Sequence, residues 1–366
     1  MFAAQRIAIA VAVAFALASL LALESAWVAR SPVDAVEATP DPTAAPTRAP
    51  TAAPACARRT REVRVVAYSR DKQSDFEPAQ RTANETLPLN VYVHNPDARR
   101  VVLPPALRDA LPMAVLGVFC TQRHARWRDM HRAYLSLFAA TRGPRPEVVV
   151  RFVVGGGERA AEALLEEQMQ YGDLLILSCE ENLVHGKSFD FFRAVVRQVP
   201  AQFALKADLD TFVHADNLAR TLRELLCRDG PPVFYGCLVA GVFPLETGRG
   251  FLEGAIYGLG LALAKEVSVT VEADGERDNA EDQLMSSHVK SSAFRANMSV
   301  AWIDDRAIYD HPMTGSRGSQ AGPFRDDTVA LHGMKKRERW TACLAHYFKD
   351  NMDELRPLIE RLNSFS

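Results

Sequence analysis

At 366 residues and a formal charge of −2, the chain has room for one large domain or two modest ones and no footprint for a polyanion. No basic patch is interleaved with aromatics, which argues against a nucleic-acid partner. Neither a zinc cluster nor a thioredoxin motif is indicated, because Cys56, Cys120, Cys179, Cys227, Cys237 and Cys343 form no CxxC pair and the nine histidines are scattered. The even cysteine count suits disulfides in an oxidising compartment and buried free thiols equally well.

Residues 1–6 end in Arg6, and residues 7–23 (IAIAVAVAFALASLLAL) are apolar and uncharged. The run is short for a membrane span, which takes about 20 residues, and a cleaved signal peptide is the competing reading. Neither Glu24-Ser25-Ala26 nor Trp27-Val28-Ala29 makes a good cleavage site, so an uncleaved signal-anchor is expected. The positive charge before it places residues 1–6 in the cytoplasm and the rest in the lumen, as a single-pass type II protein. Residues 24–60 read as a disordered stem, with Pro, Ala and Thr concentrated over 31–55 and no apolar period. Residues 61–110 hold short β-like runs (EVRVVAY, LNVYVH, RRVVL) to which the sequence assigns no role. Asn84 and Asn297 each begin an acceptor triplet for N-glycosylation, a signal that also arises by chance.

From about Leu111 the pattern changes to alternating strands and helices, and 111–366 is taken as one domain. MAVLGVFC, EVVVRFVVG, LLILSC and AQFALKAD read as strands. Helices are expected in RWRDMHRAYLSLFAAT, GERAAEALLEEQMQYGD, SFDFFRAVVRQV and from Asp216 to Cys227. Such alternation indicates an α/β protein with a largely parallel sheet, whose ligands bind beyond the carboxyl ends of the strands.

Asp208 and Asp210 stand at one of those ends. Side chains two apart on a strand point to the same side, and two carboxylates held that close repel unless something compensates them. A hard divalent cation does so naturally, since Mg²⁺ and Mn²⁺ prefer oxygen ligands. A solvated turn with a capping Asp before the next helix is the alternative.

Several segments together resemble the β-1,3-galactosyltransferase and β-1,3-N-acetylglucosaminyltransferase family of inverting enzymes. RDMHRAYL is similar to the family's Arg-x-x-x-Arg-x-Thr-Trp element through Arg128 and Arg132, with Tyr134 and Leu135 in place of Thr and Trp. Tyr171, Gly172, Asp173 and Lys187 match the next block. KADLDTFVHADNL resembles Lys-x-Asp-Asp-Asp-x-Phe-Val-Asn, with Leu209 for the middle acid and His214 for Asn. FYGCL and YGLGLALAKEV resemble the following Tyr-Gly and Gly-x-Gly-Tyr segments, and NAEDQLMSSHV the Glu-Asp-Val element, with Gln283 for Val.

The resemblance covers about residues 111–350 and implies a GT-A-type, Rossmann-like mixed sheet flanked by helices. It also implies transfer of galactose or N-acetylglucosamine from a UDP-sugar to a glycan hydroxyl in β-1,3 linkage, in the Golgi lumen. The stem and the motif departures are similar to those of protozoan phosphoglycan β-1,3-galactosyltransferases, which favours galactose. On this reading Asp210, Asp208 and His332 hold Mn²⁺ (or Mg²⁺), the imidazole suiting Mn²⁺ better. Asp282 is the expected general base, with Glu281 as its neighbour. Lys206, Asp208, Arg128, Arg132 and Lys335 are expected on the donor side, and Glu253, Gly254 and Glu281 on the acceptor side. Competing roles are a solvated acidic loop at Asp282, a structural histidine at 332, and solvated arginines or structural ion pairs at 128 and 132. A catalytically silent, carbohydrate-binding or chaperone relative is the alternative function; it should have lost Asp208, Asp210 or Asp282. A two-metal phosphatase fits less well, because the sequence offers no second ligand cluster. Oligomeric state is not legible.

Overall fold

A computed structural model describes residues 63–65, 89–94, 98–101, 104–156, 162–181, 186–226, 232–239, 251–274, 281–314 and 322–362. The expected anchor, the stem and Asn84 lie outside the described residues. Among the described residues no helix is long and apolar enough to cross a membrane.

The strand Ala114–Phe119 (β3) is buried at all six positions, as a strand covered on both faces must be. Its neighbours Val148–Val154 (β4) and Phe203–Asp208 (β6) pair with it in parallel, and Leu174–Ile176 (β5) pairs in parallel with β4. The other half of the sheet is mixed. Leu252–Gly260 (β9) runs antiparallel to both β6 and Val233–Leu238 (β8). Val300–Asp305 (β10) is parallel to β8 and antiparallel to Leu89–His94 (β2), beside which Val63–Val65 (β1) forms the edge. The order is β1-β2-β10-β8-β9-β6-β3-β4-β5. LNVYVH and EVRVVAY thus contribute strands to this sheet, and among the described residues of RRVVL Arg99 makes an isolated bridge to Met298.

Strand alternation divides the core into two layers. Leu116, Val118, Phe203, Leu205 and Ala207 face one side, where Trp127, Tyr134 and Trp340 pack. Val115, Phe119 and Ala204 face the other, against Phe191, Phe192 and Tyr257. Leu209 continues the 203-205-207 face into the first layer and is buried there. Hydrocarbon at 209 is therefore what the strand period requires, and an acid in its place would be forced into the core.

The expected helices form over Ala125–Leu135, Glu162–Tyr171, Lys187–Gln198 and Ala215–Leu226. Gly172, at φ 66°, ends the second of them, where a side chain would be strained. A second sheet of three short strands brings the C-terminal part of the chain to the carboxyl end of β6. Ala330–His332 (β12) pairs antiparallel with Phe212–Val213 (β7) and parallel with Ile308–Asp310 (β11). Cys120, Cys179, Cys237 and Cys343 are free thiols.

Candidate active site

The acids at the end of β6 sit in a tight turn whose backbone is held from several directions. Thr211 N–H donates to Asp208 O at 3.0 Å, and Met334 N–H to Asp210 O at 2.9 Å. His131, fully buried on the Ala125–Leu135 helix, lies 2.9 Å from Leu209 O through Nε2. The Thr211 hydroxyl donates to Ala255 O on β9 at 3.1 Å. Because β12 lies against β7, His332 emerges beside this turn, and its Nε2 is 3.8 Å from Asp210 Oδ2.

One ligand atom each from Asp208, Asp210 and His332 lies within 4.8 Å of the others. Asp210 is 5 % exposed, and its Oδ2 is buried without a hydrogen-bond partner. A buried carboxylate oxygen left this way is costly, and a cation is the compensation its surroundings permit. The expected metal triad is thus brought together in space, across more than a hundred residues of sequence. Burial works against a charged ring at His332. The hydrogen bond to Asp310 and the carboxylates of Asp210, Glu253 and Asp208 outweigh it, raising the pKa from 6.5 to about 8.

The facing wall is built by β9 and the first turn of the Glu281–Arg295 helix. Lys206 and Tyr257 are direct partners across β6 and β9. The Lys206 ammonium is buried and donates to Gly254 O at 2.6 Å, with Asp208 Oδ1 at 2.7 Å and Glu281 Oε2 at 3.3 Å. Burial opposes its charge, but Asp208 and Glu281 prevail and raise its pKa. Glu281 also accepts from the Ser188 and Tyr257 hydroxyls. Asp282 beside it takes the Gln283 N–H on Oδ1 at 2.8 Å. A Cβ placed on Gly254 would lie 3.6 Å from Asp282 Oδ2 and 3.6 Å from Lys206 Nζ, so glycine keeps this wall open. Burial raises the Asp282 pKa, aided by Glu281 and opposed by the Gln283 N–H and Lys206. Burial likewise raises that of Glu253, against the pull of His332 and with help from Asp310, Asp282 and Asp208.

Three expectations change on contact with this geometry. Arg128 and Arg132 do share a helix face, but their guanidiniums belong to carboxylates of the fold. Arg128 binds Glu167 at 2.5 and 2.7 Å, and Arg132 reaches Glu167 at 2.6 Å and both oxygens of Asp173 at 2.8 Å. Neither offers a free fork to a donor, because buried arginines in an α/β core need carboxylate partners. Lys206 is the internal counterion of Asp208 and Glu281 rather than an open donor-side cation. Glu281, with both oxygens occupied inside the fold, buttresses the wall instead of facing an acceptor. Lys335 is by contrast 64 % exposed on its side chain, with its ammonium 3.9 Å from Asp210 Oδ2.

Sequence reading missed Asp310, Ser188, Tyr257 and His131 as members of the assembly. A second group also went unseen: Glu253, Asp310 and His332 likewise offer ligand atoms within 4.8 Å of one another. Asp310 and Ser188 stand near a strand or helix end, a signal many residues share, whereas Tyr257 and His131 lie inside a strand and a helix and carry no local signal.

Residues 136–247 match the galactosyltransferase family model, a segment that carries Lys187, Lys206, Asp208 and Asp210. Glycosyltransferase is thus the class this part of the chain supports, and the motif resemblance is to the galactosyltransferase family. Arg128, Glu253, Asp282 and His332 lie outside the matched segment. No curated protein sequence matches significantly. Similar solved structures include the galactosyltransferase LgtC in complex with donor and acceptor sugar analogs. That likeness has 13 % identity and a TM-score of 0.37, over 69 % of this chain and 98 % of that one. Another is S. aureus TarS residues 1–349, at 10 % identity and a TM-score of 0.35, over 68 % of this chain and 69 % of that one. Superpositions so loose carry no residue-by-residue comparison.

Proposed function

We propose that the protein is an active, metal-dependent, inverting glycosyltransferase of GT-A type. It moves galactose, or N-acetylglucosamine, from a UDP-sugar to a glycan hydroxyl in β-1,3 linkage, from the lumenal face of the Golgi membrane. The observation that carries this reading is the buried Asp210 Oδ2, which no hydrogen bond satisfies, facing His332 beside Asp208. Asp210 and His332 would bind the cation directly. Asp208, already shared with Lys206, completes the set through its other oxygen or through water. Two oxygens and an imidazole nitrogen suit Mn²⁺ better than Mg²⁺. A divalent cation supplies charge neutralisation to a departing diphosphate.

Lys335, largely exposed beside Asp210, can add its charge to the same phosphates. Asp282 acts on the acceptor side. A carboxylate whose pKa is raised by burial is the better proton acceptor for a sugar hydroxyl, and its Oδ2 faces the space opened by Gly254. The wall behind it is held rigid by Glu281, Ser188, Tyr257 and Lys206, so the base needs little reorganisation at the moment of attack.

The test is a donor panel. The purified protein, incubated with Mn²⁺, an acceptor glycan mixture and each UDP-sugar in turn, should release UDP with UDP-galactose or UDP-N-acetylglucosamine, and chelator should stop the reaction. Glycan binding without UDP release from any donor would make it a silent relative.

A further inference from the structure

We propose that Asp310 is the positioning residue of His332: its carboxylate holds the Nδ1–H and thereby commits Nε2 to the cation at Asp208 and Asp210. The inference rests on the metal reading of the Asp208, Asp210 and His332 triad. Asp310 and His332 are register partners in the parallel pair β11 and β12, so their side chains leave the sheet side by side. Asp310 Oδ1 lies 3.1 Å from His332 Nδ1, within hydrogen-bond reach, whereas Glu253 Oε1 is at 3.6 Å. On the far side of the ring Nε2 faces Asp210 Oδ2 at 3.8 Å. The strand holding His332 is pinned in turn by His311 N–H donating to His332 O at 2.9 Å.

A neutral imidazole carries one N–H and one lone pair, and an ionised carboxylate only accepts. When a cation displaces one proton from the ring, the proton that remains stays on Nδ1 beside Asp310 and the lone pair is left on Nε2. Turning the ring over would put Cδ2 in the place of Nδ1 and forfeit the bond to Asp310, and the other tautomer would set a bare nitrogen against that carboxylate. Ligating histidines are commonly oriented in this way by an outer carboxylate. The rival arrangement makes Asp310 a ligand of a second cation together with Glu253 and Nδ1. It requires stripping the proton that Asp310 holds at 3.1 Å, rather than the one on Nε2, which is 3.8 Å from Asp210 Oδ2 and makes no hydrogen bond to it. It also leaves unexplained why the buried oxygen without a hydrogen bond lies on the Asp210 side.

Mn²⁺ binding to the full-length protein, followed by calorimetry or by the loss of free-ion paramagnetic signal, separates these. The wild type should bind one Mn²⁺ per chain. Asp310→Ala should weaken binding about 10–100-fold, and Asp310→Asn, whose amide oxygen still accepts the Nδ1–H, should stay within about threefold of wild type. In a His332→Ala background Asp310→Ala should change affinity by less than about twofold, because its effect travels through the missing ring.

Equal losses with Asp310→Ala and Asp310→Asn, an undiminished loss in the His332→Ala background, or two Mn²⁺ per chain would each make Asp310 a ligand and overturn the proposal. Unchanged Mn²⁺ affinity in Asp310→Ala would overturn it as well. A wild type that melts cooperatively yet binds no Mn²⁺ would instead remove the metal reading on which this stands. Should Asp310→Ala fail to fold, ¹⁵N-histidine spectra of the metal-free wild type decide, taken well above the raised His332 pKa of about 8 so that the ring is neutral. The signal lost in His332→Ala should show a protonated Nδ1, and a bare Nδ1 with protonated Nε2 overturns the assignment.

Discussion

Two clusters of charge lie close together in this fold and are balanced in opposite ways. In the first, two guanidiniums of the Ala125–Leu135 helix meet Glu167 and Asp173 in paired forks. In the second, Asp208, Asp210, Glu253, Asp310, Glu281 and Asp282 converge on Lys206, His332 and the exposed Lys335. The first is closed: each charge has a partner, and its work is to fix α/β geometry. The second has more carboxylates than cations and one buried oxygen with no hydrogen bond. Excess charge of one sign, held in place by strand ends, is what a bound cation would balance.

The comparison breaks most sharply at Asp210. Asp210→Ala should lower sugar transfer about 10³-fold and weaken UDP binding in Mn²⁺, since it removes a ligand for the charge-neutralising cation. Without metal the same variant should lose little stability, because the oxygen it removes makes no hydrogen bond and only long ionic contacts, at 3.8 Å to His332 and 3.9 Å to Lys335. Near-normal transfer in chelator, or a large drop in metal-free stability, would place Asp210 with the structural cluster instead.

Asp282 tests the other wall. Asp282→Asn keeps the shape but not the basicity, and loss of general-base assistance costs about 10²–10⁴-fold in rate. UDP and Mn²⁺ affinity should hold, because Asp282 sits by Gly254 and not among the metal-facing atoms. Rate and UDP affinity measured on one preparation decide between base, donor-site residue and solvated loop.

How far the site was legible follows from these same residues. The acid pair was readable because strand periodicity and the strand end are both local signals. Leu209 was read as a missing acid. The structure gives its physical reason, as the next residue on the buried face. Asp282 and His332 came from motif resemblance, and the fold brings both to the site. Asp310 was invisible because its role depends on the register between two three-residue strands, which no local pattern encodes. Arg128 and Arg132 went the other way. A helix face is local, but whether its partner is a phosphate or Glu167 is a tertiary fact.

For the closed cluster the expected signature is stability without chemistry. Arg128→Met leaves Glu167 with half its partners in a largely buried setting and should cost about 3–5 kcal/mol of unfolding free energy. Below the melting transition, UDP and Mn²⁺ affinities of the folded fraction should match wild type. A variant that folds normally but loses UDP would return Arg128 to the donor side.

His131 joins the two regions, since it stands on the arginine-bearing helix and touches the carbonyl between the two acids. Its Nε2 meets Leu209 O at 2.9 Å, so that nitrogen carries the proton. Its Nδ1, 3.2 Å from the Tyr134 hydroxyl, then accepts from it. The ring is therefore neutral in the fold. Complete burial, only partly offset by the bond to Leu209 O, lowers its pKa from 6.5 to about 4. Between those values the unfolded chain binds a proton that the native state refuses, so the contribution of His131 is fully present above about pH 6.5 and is lost as pH falls towards 4. A displacement of that size corresponds to about 3 kcal/mol. His131→Phe should lower stability at pH 7 by about 1–3 kcal/mol through the lost hydrogen bonds, yet fall less steeply on acidification. His214 and His311, whose pKa values burial also lowers to about 4, contribute to both curves and cancel in the difference. Parallel denaturation curves for wild type and variant from pH 7 to pH 4 would mean that His131 can accept a proton in place, and that the acid turn does not depend on the neutral ring behind it.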